Sequence, residues 1–128
     1  MRDTGDVEAF AASMLPRLVS AEHAQSSSEV AAIVTQWMNQ AHPLTIAWLR
    51  EAMADRPDSV RTLQKFSGPA LLLRGSDDEV CSVQDYEVMK SALAHATYRE
   101  IAGTGHLPPI EDGLHTTDII HEWLSGNI

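Results

Sequence analysis

Gly68-Pro69-Ala70-Leu71-Leu72-Leu73-Arg74-Gly75-Ser76-Asp77-Asp78 is the stretch on which the fold turns. Ala70 to Leu73 form an uninterrupted apolar run, bracketed by Gly-Pro before it and Arg-Gly after it. Its short length and its bounding residues favour a strand over a buried helix segment. The lack of alternation suits a strand covered on both faces, as in a parallel sheet. A helix is expected next, from about Val83 to Ala94, with Val83, Tyr86, Met89 and Leu93 on one side. Ala96-Thr97-Tyr98-Arg99-Glu100-Ile101 reads as a second strand, closed by the glycine turn Gly103-Thr104-Gly105. A last helix carries Ile119, Ile120, Trp123 and Leu124. Strand, helix, strand, helix predicts a right-handed crossover and a parallel pair.

Working back towards the start, residues 1–66 read as helices. Val7, Phe10, Ala11, Met14, Leu15 and Leu18 recur at helical spacing, and Pro16 is expected to kink or end that segment. Ser26 and Glu29 are spaced as a capping box for a second helix, whose stripe is Val30, Ile33, Val34, Trp37 and Met38. His42-Pro43 opens a third, with proline tolerated in the first turn and Leu44, Ile46, Ala47, Leu49 and Met53 as its stripe. A turn at Arg56-Pro57-Asp58 precedes a short fourth helix with Val60, Leu63 and Phe66. All these stripes are expected to be core. The acidic run from Asp3 to Glu8 reads as a solvated helix start.

Two turns carry the chemistry. Gly75-Ser76-Asp77-Asp78 follows the first strand and Gly103-Thr104-Gly105-His106 the second. In a parallel sheet both turns emerge at the same C-terminal edge, where α/β folds bind ligands. Asp78 and His106, far apart in sequence, are therefore expected on neighbouring loops. An acid there fixes the histidine tautomer and stabilises the imidazolium, which leaves the other ring nitrogen to act as a base. The bland alternative is that Asp78 or Ser82 merely caps the helix near Val83, and that His106 is a hydrogen-bonded structural residue.

Pro69 to Asp78, a Pro-apolar run closed by Gly-x-x-Asp, is similar to the strand and acid turn of the α/β-hydrolases. Gly103-Thr104-Gly105-His106-Leu107-Pro108-Pro109-Ile110-Glu111 resembles their histidine turn, Gly-x-Gly-His followed by a short helix, and acid before histidine is that family's order. The resemblance is close over about Ser67 to Ile128 and looser before it, where residues 1–66 resemble the helical cap inserted ahead of the acid strand. It implies an α/β fold that is a partial α/β-hydrolase: a cap-like helical segment over 1–66, then a β-α-β-α segment over 67–128 with a short parallel sheet. It also implies Asp78, rather than Asp77, as the acid and His106 as the histidine of a Ser-His-Asp site, with acyl transfer through a serine ester as the parent chemistry.

The sequence departs from the family at the nucleophile. None of its eleven serines stands in Gly-x-Ser-x-Gly, and the oxyanion-hole loop, expected upstream of the cap, has no counterpart. Cys81 falls just past the acid turn, where the family places no nucleophile, and is expected to be a small, partly buried side chain. The chain is thus expected to be a fragmentary or truncated hydrolase without activity of its own. The alternative is a non-catalytic module, derived from that fold, that binds a small apolar or ester-like molecule or a protein.

Nine Lys and Arg against eighteen Asp and Glu leave a net charge of −9, which disfavours nucleic acid and anionic membrane as partners. The single cysteine excludes an internal disulfide and suits a reducing, cytoplasmic setting. The start has no apolar signal-peptide core, and no apolar run approaches the ~20 residues of a membrane span. No Cys/His cluster suggests zinc, and no cofactor is expected. His95, His115 and His121 read as surface groups. A chain of 128 residues is expected to bury roughly two thirds of its unfolded surface. The bare, uncharged edge at Ala70 to Leu73 is expected to pair with a second copy of the chain in a twofold homodimer, or else to be covered by the helices of residues 1–66.

Overall fold

The structure is a computed structural model that describes residues 4–25 and 27–126. Four helices come first: α1 (Thr4–Leu18), α2 (Glu29–Gln40), α3 (Pro43–Ala54) and α4 (Val60–Lys65). The alternating part follows: β1 (Ala70–Gly75), α5 (Val83–Ala92), β2 (Ala96–Ile101), α6 (Pro108–Glu111) and α7 (Gly113–Gly126). The architecture is the helix-rich α/β arrangement expected, with a short parallel sheet. β1 and β2 pair in parallel from Ala70↔Ala96 to Gly75↔Ile101, so both strands end at the same level and their following turns lie side by side.

Local chemistry sets the boundaries. Pro16 stands in the last turn of α1, which ends two residues later. α2 is capped by Ser28, whose Oγ accepts the Ala31 N–H; the expected cap Ser26 lies outside the described residues, as does Asp3 of the acidic run. α3 opens as anticipated on His42-Pro43, with His42 Nδ1 accepting from Leu44 N–H. α5 has a reciprocal capping box between Ser82 and Asp85, which satisfies two otherwise orphaned N–H groups. It ends at Ala92, earlier than expected, because Leu93 turns inward and is buried.

The expected core stripes are only half realised. The buried apolar set is small: Val7, Ala11 and Val19 from α1 and its exit, Ala31 and Val34 from α2, then Leu93 and Ile101. Trp37 is 52% exposed, Trp48 65% and Met53 69%, and Leu44, Leu49, Phe66, Val83, Ile120 and Leu124 are exposed too. The reason is geometric. α1 packs chiefly on α2, and α3 lies against α1 at one side with no buried residue of its own. The accessible surface is 8942 Å², where a compact monomer of this mass has roughly 6,700 Å². The chain therefore buries nearer 55% of its unfolded surface than two thirds. On the open side of the sheet β1 pairs with no strand among the described residues, and Leu71, Leu72 and Leu73 are half-buried. Among the described residues no helix is long and apolar enough to cross a membrane.

Candidate active site

The parallel register puts the acid turn and the histidine turn in contact, and a lattice of backbone bonds fastens them. Ser76 N–H donates to Ile101 O at 2.9 Å, Asp77 N–H to Thr104 O at 2.9 Å and Gly103 N–H to Ser76 Oγ at 2.8 Å. Gly103 has φ +72°, the left-handed conformation that glycine adopts without steric penalty. Just below, buried Arg74 reaches across the sheet to Glu100, its register partner, at 2.8 Å.

Asp78 and His106 meet above this lattice. His106 Nδ1 lies 3.0 Å from Asp78 Oδ2 and 3.1 Å from Oδ1. The carboxyl is almost fully buried and the imidazole is 36% exposed. Asp78 Oδ1 also accepts the N–H groups of Val80 and Cys81 at 2.8 and 3.0 Å. With Nδ1 held by the acid, Nε2 is left on the far side of a half-exposed ring. Asp77 turns away, exposed and bonded to Ser76 Oγ. Asp78 thus caps the turn at Val80 and Cys81 and faces His106, while the cap of α5 itself is Ser82.

Burial alone raises the Asp78 carboxyl, but the hydrogen bonds from Cys81, His106 and Val80, with the positive field of His106, outweigh it and hold the group below its ordinary 3.8. The folded chain then binds this proton more weakly than the unfolded chain does. The stabilisation is fully present above the unfolded value and is lost as pH falls through the depressed folded one. The gap in urea midpoint between wild type and Asp78→Asn should accordingly be widest at neutral pH and close as the pH falls below the ordinary carboxylate value. A gap that stays constant across that range would show that the carboxyl charge contributes nothing.

The other candidates fall away. Ser76 Oγ is spent between Gly103 and Asp77. The Cys81 thiol is pushed above its ordinary 9.0 by burial and then by the Asp85 and Asp78 carboxylates, so little thiolate forms at neutral pH. His95, His115 and His121 are exposed. Among the described residues no group of three or more His, Cys, Asp or Glu is placed to hold a metal.

Sequence reading missed Glu111, Ser20 and His23. The Glu111 side chain is fully buried, and its two oxygens accept from Gly105 and Leu107 on one side and from Ser20 on the other. Its place at the end of the histidine motif was visible. The contribution of the α1 exit was not, because nothing local in Leu18 to His23 announces a partner some ninety residues away.

The match with solved structures is close over nearly the whole chain. An esterase from Thermogutta terrifontis superposes with TM-score 0.85 at 30% identity, over 96% of this chain and 47% of its own. This chain has a partial α/β-hydrolase fold. The enol-lactonase from Burkholderia xenovorans LB400 matches this chain with TM-score 0.83 at 24% identity, over 93% of this chain and 45% of its own. An α/β-hydrolase enzyme from a Medee basin deep-sea metagenome library matches with TM-score 0.70 at 12% identity, over 95% and 50%. The chain therefore spans about half the length of the enzymes it resembles. No family model matches it, and no curated protein matches it.

Proposed function

We propose that this chain supplies the acid and the base of a Ser-His-Asp ester-hydrolase site, with residues 1–66 as its cap, and that it turns over no ester until a segment bearing the nucleophile serine and the oxyanion donors joins it. The observation that carries this reading is the bond of His106 Nδ1 to buried Asp78 at 3.0 Å, which fixes the tautomer and leaves Nε2 to take a proton from a hydroxyl. The similarity to an esterase and an enol-lactonase supports esters or lactones as the substrate class. The surplus accessible surface is of the size that a stable interface removes, and the open edge of β1 is where a strand of the joining segment adds.

The test is a chimera of the N-terminal half of the Thermogutta esterase fused ahead of this chain. The chain alone should cleave activated esters no faster than buffer and should take no fluorophosphonate label, since nucleophile and oxyanion hole are both missing. The chimera should be labelled at the esterase-half serine and should lose turnover by at least about a thousandfold in His106→Ala. His106-dependent cleavage by the chain alone would overturn the need for a partner. A folded, unlabelled chimera would overturn the catalytic reading.

A second reading is favoured by the free β1 edge and by exposed Trp37, Leu44, Trp48 and Met53. In it the chain is a non-catalytic module that pairs with a second copy through β1 or holds a small apolar molecule. Light scattering after size exclusion at low micromolar concentration separates the readings. A dimer with exchange-protected β1 amides, together with an inactive chimera, is the signature of the second.

A further inference from the structure

We propose that Glu111 is a positioning residue of this site: its buried carboxyl fixes the backbone on both sides of His106 and so aims the ring at Asp78. The proposal rests on the reading of His106 as the base. Glu111 is the last residue of α6, and its side chain folds back over the start of that helix. Oε1 accepts Gly105 N–H at 2.8 Å and Leu107 N–H at 3.3 Å, the two residues flanking His106. The N–H of His106 itself goes to Leu18 O at 2.8 Å. Three consecutive N–H groups are therefore anchored inward, and the Cα of His106 cannot shift without breaking one. Oε2 ties the same carboxyl to the α1 exit, accepting Ser20 N–H at 2.7 Å, with His23 Nδ1 at 3.1 Å. Gly105 is pressed against that exit, since a Cβ there would stand 2.7 to 2.8 Å from Val19 and Ser20 backbone atoms.

The acid is anchored separately, by Val80 and Cys81. Both members of the pair are thus set by backbone bonds of their own, and their meeting does not depend on mutual attraction alone. One consequence separates positioning from plain stabilisation. Loosening Glu111 should free the ring while Asp78 is intact, and an equally destabilising change far from the site should not.

The experiment uses the full chain with ring-15N-labelled histidine. The readout is solvent exchange of the His106 Nδ1 proton, assigned by its loss in His106→Gln. Glu111→Gln keeps one acceptor oxygen but sets an NH2 against a donor; Glu111→Asp keeps both oxygens on a shorter arm. Each should speed the exchange by about tenfold, the change expected when local opening becomes easier by one hydrogen bond. Val34→Ala on α2, a buried residue that takes part in none of the bonds around His106, serves as the control matched in stability loss, and should stay within about twofold of wild type. Variants that exchange like wild type, a control that moves as far as they do, or two variants that both unfold would each overturn positioning. If Glu111 governs the ring but the chimera shows no His106-dependent turnover, positioning stands and the proposed function fails.

Discussion

Gly75→Ala should destabilise the chain by about 3 kcal/mol, the upper end of the cost of overpacking a tight site, and should separate the acid turn from the histidine turn. A Cβ at residue 75 would stand 2.0 Å from Gly105 O and 2.3 Å from Thr104 O. Those atoms are backbone, so no rotamer change relieves the clash. The histidine loop cannot retreat either, because the N–H groups of Gly105, His106 and Leu107 are all engaged. The acid turn must then give way, and with it the bonds of Ser76 and Asp77 to Ile101 and Thr104. Gly113→Ala is the matched control: nothing lies within 4 Å of its added Cβ, and the lost chain freedom in the unfolded state should leave it neutral or slightly stabilising. Urea titrations of the two variants decide the matter. Equal midpoints would mean that the two turns are not in the contact described.

The second large effect is expected at Glu111. Truncation to alanine should cost about 3 kcal/mol or more, because buried N–H groups of Ser20 and Gly105 are left without an acceptor and His23 Nδ1 keeps only Ser20 Oγ. Glu100→Ala is the comparison. It removes the carboxylate that faces Arg74, but Glu100 is nearly half exposed, Arg74 keeps its bond to Ser76 O, and an ion pair with one partner in water contributes about 1 kcal/mol. Near-equal losses in denaturant midpoint would contradict the burial difference on which the expectation rests.

The legible and illegible parts of this molecule divide along sequence distance. The bounds of β2 and the start of β1 could be read because apolar runs, prolines and glycines act on their neighbours. Asp78 and His106 could be placed together because parallel pairing carries one strand end to the next without any side-chain detail. The helical stripes misled at Trp37, Leu44, Leu49 and Met53. Amphipathic spacing marks a face that seeks cover, and says nothing of whether these 128 residues supply that cover. The Ser-x-x-Glu spacing pointed to Ser26 as the cap of α2, but the cap is Ser28, because any of three consecutive serines can supply the hydroxyl. Glu111 escaped because an acid at the end of a short helix looks like any solvated carboxylate until the α1 exit is laid over it.

That overlay also bears on the order in which the site comes into being. The bonds from Ser20 and His23 to Glu111 close loops of 91 and 88 residues. Loop closure must be met before such contacts return anything, and non-local contacts of this kind slow folding. A nascent chain that has emerged as far as Gly105 already holds both strands, the acid turn and most of the histidine turn, yet lacks the carboxyl that clasps them to its beginning. The clasp of the histidine turn to the α1 exit should therefore come late, after the two strands have paired and carried Asp78 beside His106. A molecule in which Glu111 has closed on Ser20 is then one in which the α1 exit and the histidine turn have already found each other.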